Sequence, residues 1–345
     1  MSHDAPRVRR LLFSSLAIAS FIACSGADRA PFAETSPPGA DAGSGEEGVG
    51  KTDGGKTPRD GGSSGTDPGS DSSTATDADP EATGPFSVGE ASGTRGGIAM
   101  HAFFPKTGDK APVVVFAHGF QLPPSQYDAP LKHLASHGYV ALTADYKASI
   151  TGGNDNATQA KSLSLGFDWA KDDPTVGPHV DVSLAGTSGH SLGGKLALLA
   201  ATQDSRVKAS IVLDPVDGNG VVVADLLPDL QIPTGFLGET LDSAVGFGGQ
   251  ACAPKNANFE TFYAKANSPS LRVTIDGASH MSFIDDIASC GFPCSACKSA
   301  TTPADDVAKI PRGYLVAFFQ RHLRGLTAYD AYLTRATDLT TIKTK

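Results

Sequence analysis

The sequence predicts an α/β domain: a mainly parallel β-sheet with helices on both faces. Three observations carry this expectation. From about Pro85 onward, short apolar runs alternate with stretches of helical periodicity, the pattern of strands joined by helical crossovers. The runs are nearly continuous in apolar residues, as strands covered on both faces require. A glycine-rich turn, Gly189-His190-Ser191-Leu192-Gly193-Gly194, stands between one such run and a helical pattern.

Taken in order, residues 113–116 read as a strand ending at the segment Ala117-His118-Gly119-Phe120, and residues 126–136 as an amphipathic helix. Residues 139–145 form the next strand and 157–171 repeat apolar positions at helical spacing. A short strand at 182–186 leads into the glycine-rich turn, from which an alanine-rich helix continues through 196–201. Residues 209–213, 234–237 and 271–275 read as buried strands. A helix over 310–323 closes the pattern with one apolar face. The chain between the strands at 209–213 and 234–237 is too short for a large cap domain.

Ahead of this domain the composition changes. Residues 25–85 hold 13 Gly, 7 Pro, 12 acidic and 4 basic residues, with Phe32 the only aromatic. Such a stretch cannot bury enough apolar surface to offset the entropy of ordering it, so a disordered tether is expected. Residues 1–24 have a basic start (Arg7, Arg9, Arg10) and an apolar run over 11–22. That run is too short to span a bilayer and has the length of a signal-peptide core. It ends in Phe21-Ile22-Ala23-Cys24, which resembles a bacterial lipoprotein cleavage site with Cys24 as the lipid-bearing residue. Three regions are therefore expected: a signal peptide (1–24), a linker (25–85) and one folded domain (86–345). The protein would be exported and tethered to a bacterial membrane. Most of the net charge of −9 lies in the linker. The nearly neutral domain speaks against nucleic-acid binding, and a monomer is expected.

Export also governs the cysteines. Besides Cys24 the chain has Cys252, Cys290, Cys294 and Cys297, an even number for which disulfides are the default outside the cytoplasm, with three connectivities open. A structural zinc site would need a second closely spaced pair at Cys252, and none is present. His133 and His137 are four apart on the helix expected over 126–136. No Glu accompanies them, and solvent-facing positions account for both. No metal or cofactor is expected.

The glycine-rich turn contains Gly-x-Ser-x-Gly in the strand-to-helix context that presents a nucleophilic serine. The turn strains the backbone of Ser191, a Cβ at Gly189 or Gly193 would clash, and the helix start lies near developing negative charge. A serine hydroxyl needs a base. His280 fits best, because it follows the strand at 271–275 in a loop and comes late in the chain. His322 lies within the last helix and reads as a surface residue. Two backbone N–H groups should stabilise an oxyanion: that of Leu192, next to the serine, and that of Phe120, on the loop after the strand at 113–116. His118 reads as a residue that fixes this loop. The acid orienting His280 is open between Asp214 and Asp217, after one strand, and Asp242, after the next.

The segments HGFQLPPSQYDAPLKHLASHGYVALTADY, GHSLGGKLALLAA, LDPVDG, CAPKNANFETFY and SHMSFIDD, in that order, resemble the chlorophyllase group of α/β-hydrolases over roughly residues 98–325. That resemblance implies the α/β-hydrolase fold and a triad of Ser191, Asp214 and His280. A weaker similarity to cutinase-like polyester hydrolases would put the acid at Asp242. Plant chlorophyllases have Arg where Leu192 stands, which separates the chlorophyll substrate from the ester chemistry. The reading is a serine carboxylic-ester hydrolase with an ester substrate and an open site. The alternatives are a non-catalytic surface lipoprotein using the fold for binding, and an acyltransferase sharing every site residue.

Overall fold

A computed structural model describes residues 79–148, 155–246 and 249–345. The signal peptide, Cys24 and linker residues 25–78 lie outside the described residues. The strands are β1 (Val88–Arg95), β2 (Ile98–Pro105), β3 (Ala111–Ala117), β4 (Val140–Asp145), β5 (Val180–His190), β6 (Val207–Leu213), β7 (Thr234–Glu239), β8 (Ser270–Ile275) and β9 (Thr340–Thr344). They form one sheet in the order β1-β2-β4-β3-β5-β6-β7-β8-β9. From β4 to β8 every pairing is parallel. The pairs β1–β2, β2–β4 and β8–β9 are antiparallel and finish both edges. The helices are α1 (Asp128–Ser136), α2 (Asn156–Asp172), α3 (Leu192–Gln203), α4 (Phe259–Lys265), α5 (Phe292–Ser295), α6 (Ala304–His322) and α7 (Asp330–Thr334).

The period-2 geometry of the strands divides the core in two. On β3, Val113, Val115 and Ala117 face a cluster with Leu163 and Phe167 of α2 and Leu196 and Leu199 of α3. Val114 and Phe116 face the other cluster, with Leu131 and Leu134 of α1 and Phe318 and Phe319 of α6. Both faces of the central strands are therefore dry, which is why they read as unbroken apolar runs. The expected mainly parallel sheet with helices on both faces is the observed one. Between β6 and β7 the only regular element is a short 3-10 turn, Val223–Asp229, so no cap domain is inserted between these two strands.

Several boundaries differ from expectation. The β1–β2 hairpin turns through Gly96 and Gly97, both at positive φ. Its first strand, VGEASGTR, is small, polar and half-buried, so no apolar run marks it. Helix α6 begins at Ala304, ahead of the expected start at residue 310, with Asp305 and Asp306 in its first turn and Pro311 inside. Acidic side chains suit a helix N-terminus. The described chain is also docked from residue 79, ahead of the domain boundary expected at residue 86. Gly84 N–H donates to Ser136 Oγ at 2.9 Å and Phe86 N–H to the Ser136 carbonyl at 3.0 Å. His133 and His137, expected to face solvent, hold this segment instead: their Nε2 atoms lie 2.8 Å from the Pro80 carbonyl and 2.9 Å from the Ala82 carbonyl. His322 is likewise more than a surface residue, since its ring packs on Phe318 with centroids 4.5 Å apart.

Candidate active site

Strand β5 ends at His190 and α3 begins at Leu192, so Ser191 alone makes the turn between them. Its backbone is at φ 57°, ψ −123°, a region that costs a non-glycine residue about 1–3 kcal/mol and persists only where the surroundings enforce it. They do so by contact. A Cβ on Gly193 would lie 2.0 Å from the Ala117 carbonyl oxygen, and one on Gly189 would lie 2.4 Å from that of Gly193. The first turn of α3 is thus pressed against the end of β3, and Ser191 is left at the junction.

His280 comes from the loop after β8, in a 3-10 turn over His280–Phe283 closed by reciprocal bonds between Ser279 and Ser282. Its Nε2 lies 2.8 Å from Ser191 Oγ and its Nδ1 lies 2.6 Å from Asp214 Oδ2. Asp214 follows β6 at φ 40°, held by its N–H on the Leu237 carbonyl at 2.7 Å. The structure therefore brings Ser191, His280 and Asp214 into one hydrogen-bonded chain.

Of the other two acids, Asp242 also reaches His280, but at the main chain. Its Oδ2 accepts the His280 N–H and its Oδ1 the Lys298 N–H, each at 2.8 Å. Asp217 turns away. It accepts the N–H groups of Val223 and Ala224 at 3.1 and 2.9 Å and pairs with Lys195 at 3.2 Å, both side chains being buried. Lys195 also donates to the carbonyls of Gly218 and Asn219. Asp217 thus braces the loop after β6.

The electrostatics of His280 follow from these neighbours. Burial lowers the pKa of an imidazole, but here the hydrogen bond and charge of Asp214, with the charges of Asp242 and Glu239, outweigh it and raise the ring above its usual 6.5. The ring nitrogen facing Asp214 is the donor, so the one facing Ser191 Oγ is free to accept.

Phe120 lies on the loop after β3, 39% exposed. Leu192 is the first residue of α3, so its N–H has no intrahelical acceptor. Strand pairing sets Ala117 opposite Gly189, which carries the loop at 118–120 alongside the serine turn. His118 fixes this loop: its Nδ1 lies 2.9 Å from the Gly119 carbonyl, its ring stacks on Tyr146 at 4.2 Å, and Tyr146 Oη donates to its carbonyl.

Two residues here were not singled out from the sequence. Tyr127 Oη accepts the Gly119 N–H at 2.9 Å and lies 2.8 Å from His190 Nδ1, while His190 Nε2 lies 2.9 Å from the His280 carbonyl. The tyrosine hydroxyl spends its proton on His190 Nδ1, so His190 donates from Nε2. Burial drives the pKa of His190 far down, which keeps this ring neutral. The relay ties the loop at 118–120 to the backbone of His280. The signal for His190 was its place inside the serine motif; nothing in the sequence marked Tyr127.

The cysteines pair as Cys252–Cys297 and Cys290–Cys294. The first bridge flanks Asp242: Ala253 N–H donates to the Asp242 carbonyl at 3.0 Å, and Lys298 N–H to its carboxylate. Asp242, Cys252 and Cys297 come within 4.8 Å of one another, but the sulfurs are spent on each other.

A mostly parallel sheet with a serine on a strand-to-helix elbow, bonded to a histidine from a late loop, defines the chain as an α/β-hydrolase. Residues 90–339 match the chlorophyllase family, and the chain belongs to that family. It is 31% identical over 238 residues to chlorophyllase-1 of Arabidopsis thaliana, covering 62% of this chain and 72% of that one. The chloroplastic chlorophyllase-1 of Citrus unshiu is 28% identical over 62% of this chain and 69% of its own. A more distant relative, the cutinase est2 of Thermobifida alba, is 26% identical over 57% of this chain and 63% of its own. Family and relatives together support a serine ester hydrolase in general.

Proposed function

We propose that the protein hydrolyses carboxylic esters through an acyl-enzyme on Ser191. His280 Nε2 takes the Ser191 proton as Oγ attacks the ester carbonyl, then returns it to the leaving alcohol. Asp214 holds the imidazole with Nδ1 protonated and offsets the positive charge that develops. The amides of Leu192 and Phe120 receive the negative charge on the carbonyl oxygen, with the N-terminal end of α3 adding to the field. Water then enters by the same base and releases the acid. The observation that carries this reading is the unbroken set of contacts from Ser191 Oγ through His280 to Asp214.

The absence of a cap between β6 and β7 favours bulky or exposed esters over small enclosed ones. Turnover of p-nitrophenyl esters of increasing acyl length, with the intact protein and its Ser191→Ala variant, tests both points. Activity surviving in the variant would remove the serine mechanism. Saturation by the shortest esters alone would remove the open-site reading. We further propose that Cys24 carries a lipid and tethers the domain to a membrane through the linker. Labelling of cells with a radioactive fatty acid should mark the protein, and Cys24→Ala should abolish the label.

A further inference from the structure

On the side of His280 away from Ser191, three acids gather at adjacent strand ends: Asp214 after β6, Glu239 as the last residue of β7, and Asp242 in the loop that follows. None is more than 3% exposed. Hydrogen bonds distinguish them. Asp242 has both oxygens occupied, by the N–H groups of His280 and Lys298. Asp214 has Oδ2 on His280, but its Oδ1 is buried without a partner. Glu239 accepts the N–H groups of Leu241 and Asp242 on Oε2, the latter at 2.7 Å, while its Oε1 is buried without a partner.

The two bare oxygens belong to neighbouring residues of the sheet. Leu213 pairs with Leu237 across β6 and β7, and the next amide, that of Asp214, donates to the Leu237 carbonyl at 2.7 Å. Glu239 is two residues further along β7 and on the same face as Leu237. Two buried carboxylates at adjacent strand ends, each with an oxygen that nothing donates to, are costly when both are ionised; a single proton shared between them would satisfy both.

We infer that Glu239 carries a proton on Oε1 and donates it to Asp214 Oδ1, making it a positioning residue for the Ser191–His280–Asp214 chain. The direction of donation follows from the contacts: Asp214 already serves as the acceptor for His280, whereas the only hydrogen bonds to Glu239 come from backbone amides. The groups around Glu239 are Asp214 from β6, Asp242 from its own loop and His280 from the loop after β8. Asp276, just beyond β8, is turned outward to Thr240 at 3.4 Å. Burial first, and then the charge of Asp214, push the Glu239 carboxyl up to about 7. The proton therefore locks the orientation of Asp214 at and below neutral pH. Its loss at higher pH adds a third anion, beside Asp214 and Asp242, near His280 and raises the basicity of that ring.

This role rests on the proposed esterase chemistry, whereas the proton itself does not, and the experiment separates them. In the intact protein carrying Ser191→Ala, infrared difference spectra between Glu239 and Glu239→Gln forms should show a protonated-carboxyl band near pH 6. That band should fade as the pH passes about 7. Its absence at pH 6 overturns the inference whether or not the protein is an esterase. With Ser191 present, Glu239→Leu leaves Asp214 Oδ1 bare and should lower kcat by about tenfold or more at unchanged KM. Glu239→Gln keeps a donor and should recover kcat to within about threefold of wild type. The acid limb of its pH profile should move to lower pH, because the Glu239 charge no longer supports the His280 imidazolium. A purely structural Glu239 predicts losses of melting temperature in both variants with the acid limb unmoved, and that result would overturn the role.

Discussion

Replacing Asp214 by Asn separates the two acids that reach His280. Asp214 Oδ2 meets Nδ1 of the ring at 2.6 Å, and the aspartate itself has no solvent exposure. An amide of nearly the same shape can turn its NH2 toward Nδ1, which moves the imidazole proton to Nε2. The nitrogen facing Ser191 Oγ then has no lone pair for the serine proton. The variant also loses a carboxylate–imidazolium attraction worth about 4 kcal/mol at 4 Å and an effective dielectric of about 20. Together these predict a fall in kcat of about 10⁴, or about 5.5 kcal/mol at 1.36 kcal/mol per tenfold. Asp242→Asn acts elsewhere. Its amide can accept only one of the His280 and Lys298 N–H groups and must oppose the other, which costs about 1–3 kcal/mol of stability. The ring contacts remain, so kcat should fall by no more than about tenfold. Measuring kcat on one p-nitrophenyl ester alongside urea unfolding gives both numbers for each variant. A larger loss of kcat in Asp242→Asn than in Asp214→Asn, with both folded, would refute the argument and return the acid role to Asp242.

Ser191→Ala should abolish ester turnover while changing unfolding free energy by no more than about 1 kcal/mol, since Oγ sits at an open junction and packs little. With the His280 pKa raised above 6.5, kcat/KM should fall as the pH drops through a value above 6.5 and the base becomes protonated; an acid limb centred below 6.5 would contradict this. Reducing Cys252–Cys297 and Cys290–Cys294 should cost about 2–5 kcal/mol of stability and loosen the Lys298 contact to Asp242. Four free thiols in denatured, unreduced exported protein would sink the disulfide account. Lys195→Met leaves the Asp217 carboxylate buried without its cation, for an expected loss of about 3–5 kcal/mol. An unchanged urea midpoint would show that the N–H groups of Val223 and Ala224 suffice.

The serine elbow was legible in the sequence because it depends on local sterics: glycines on both sides of Ser191, an apolar run before it and an alanine-rich helix after it. The central strands were legible for a similar reason, since burial on both faces leaves each of them a continuous apolar run. The edge strands were not. β1 and β9 are polar, each with one flank exposed, and only pairing with β2 and β8 makes them strands. Among the acids, only the family resemblance favoured Asp214; local residue patterns did not choose. Asp214, Asp217 and Asp242 all follow strands that end at the same edge of the sheet, and chain order says nothing about which carboxylate reaches the ring, the main chain or a buried lysine. Nor did spacing decide the cysteine pairs, or show that His133 and His137 hold the carbonyls of Pro80 and Ala82. These contacts join residues far apart in the chain. Their partners are selected by where the sheet and helices bring the backbone, a property of the packed structure rather than of any local run of residues.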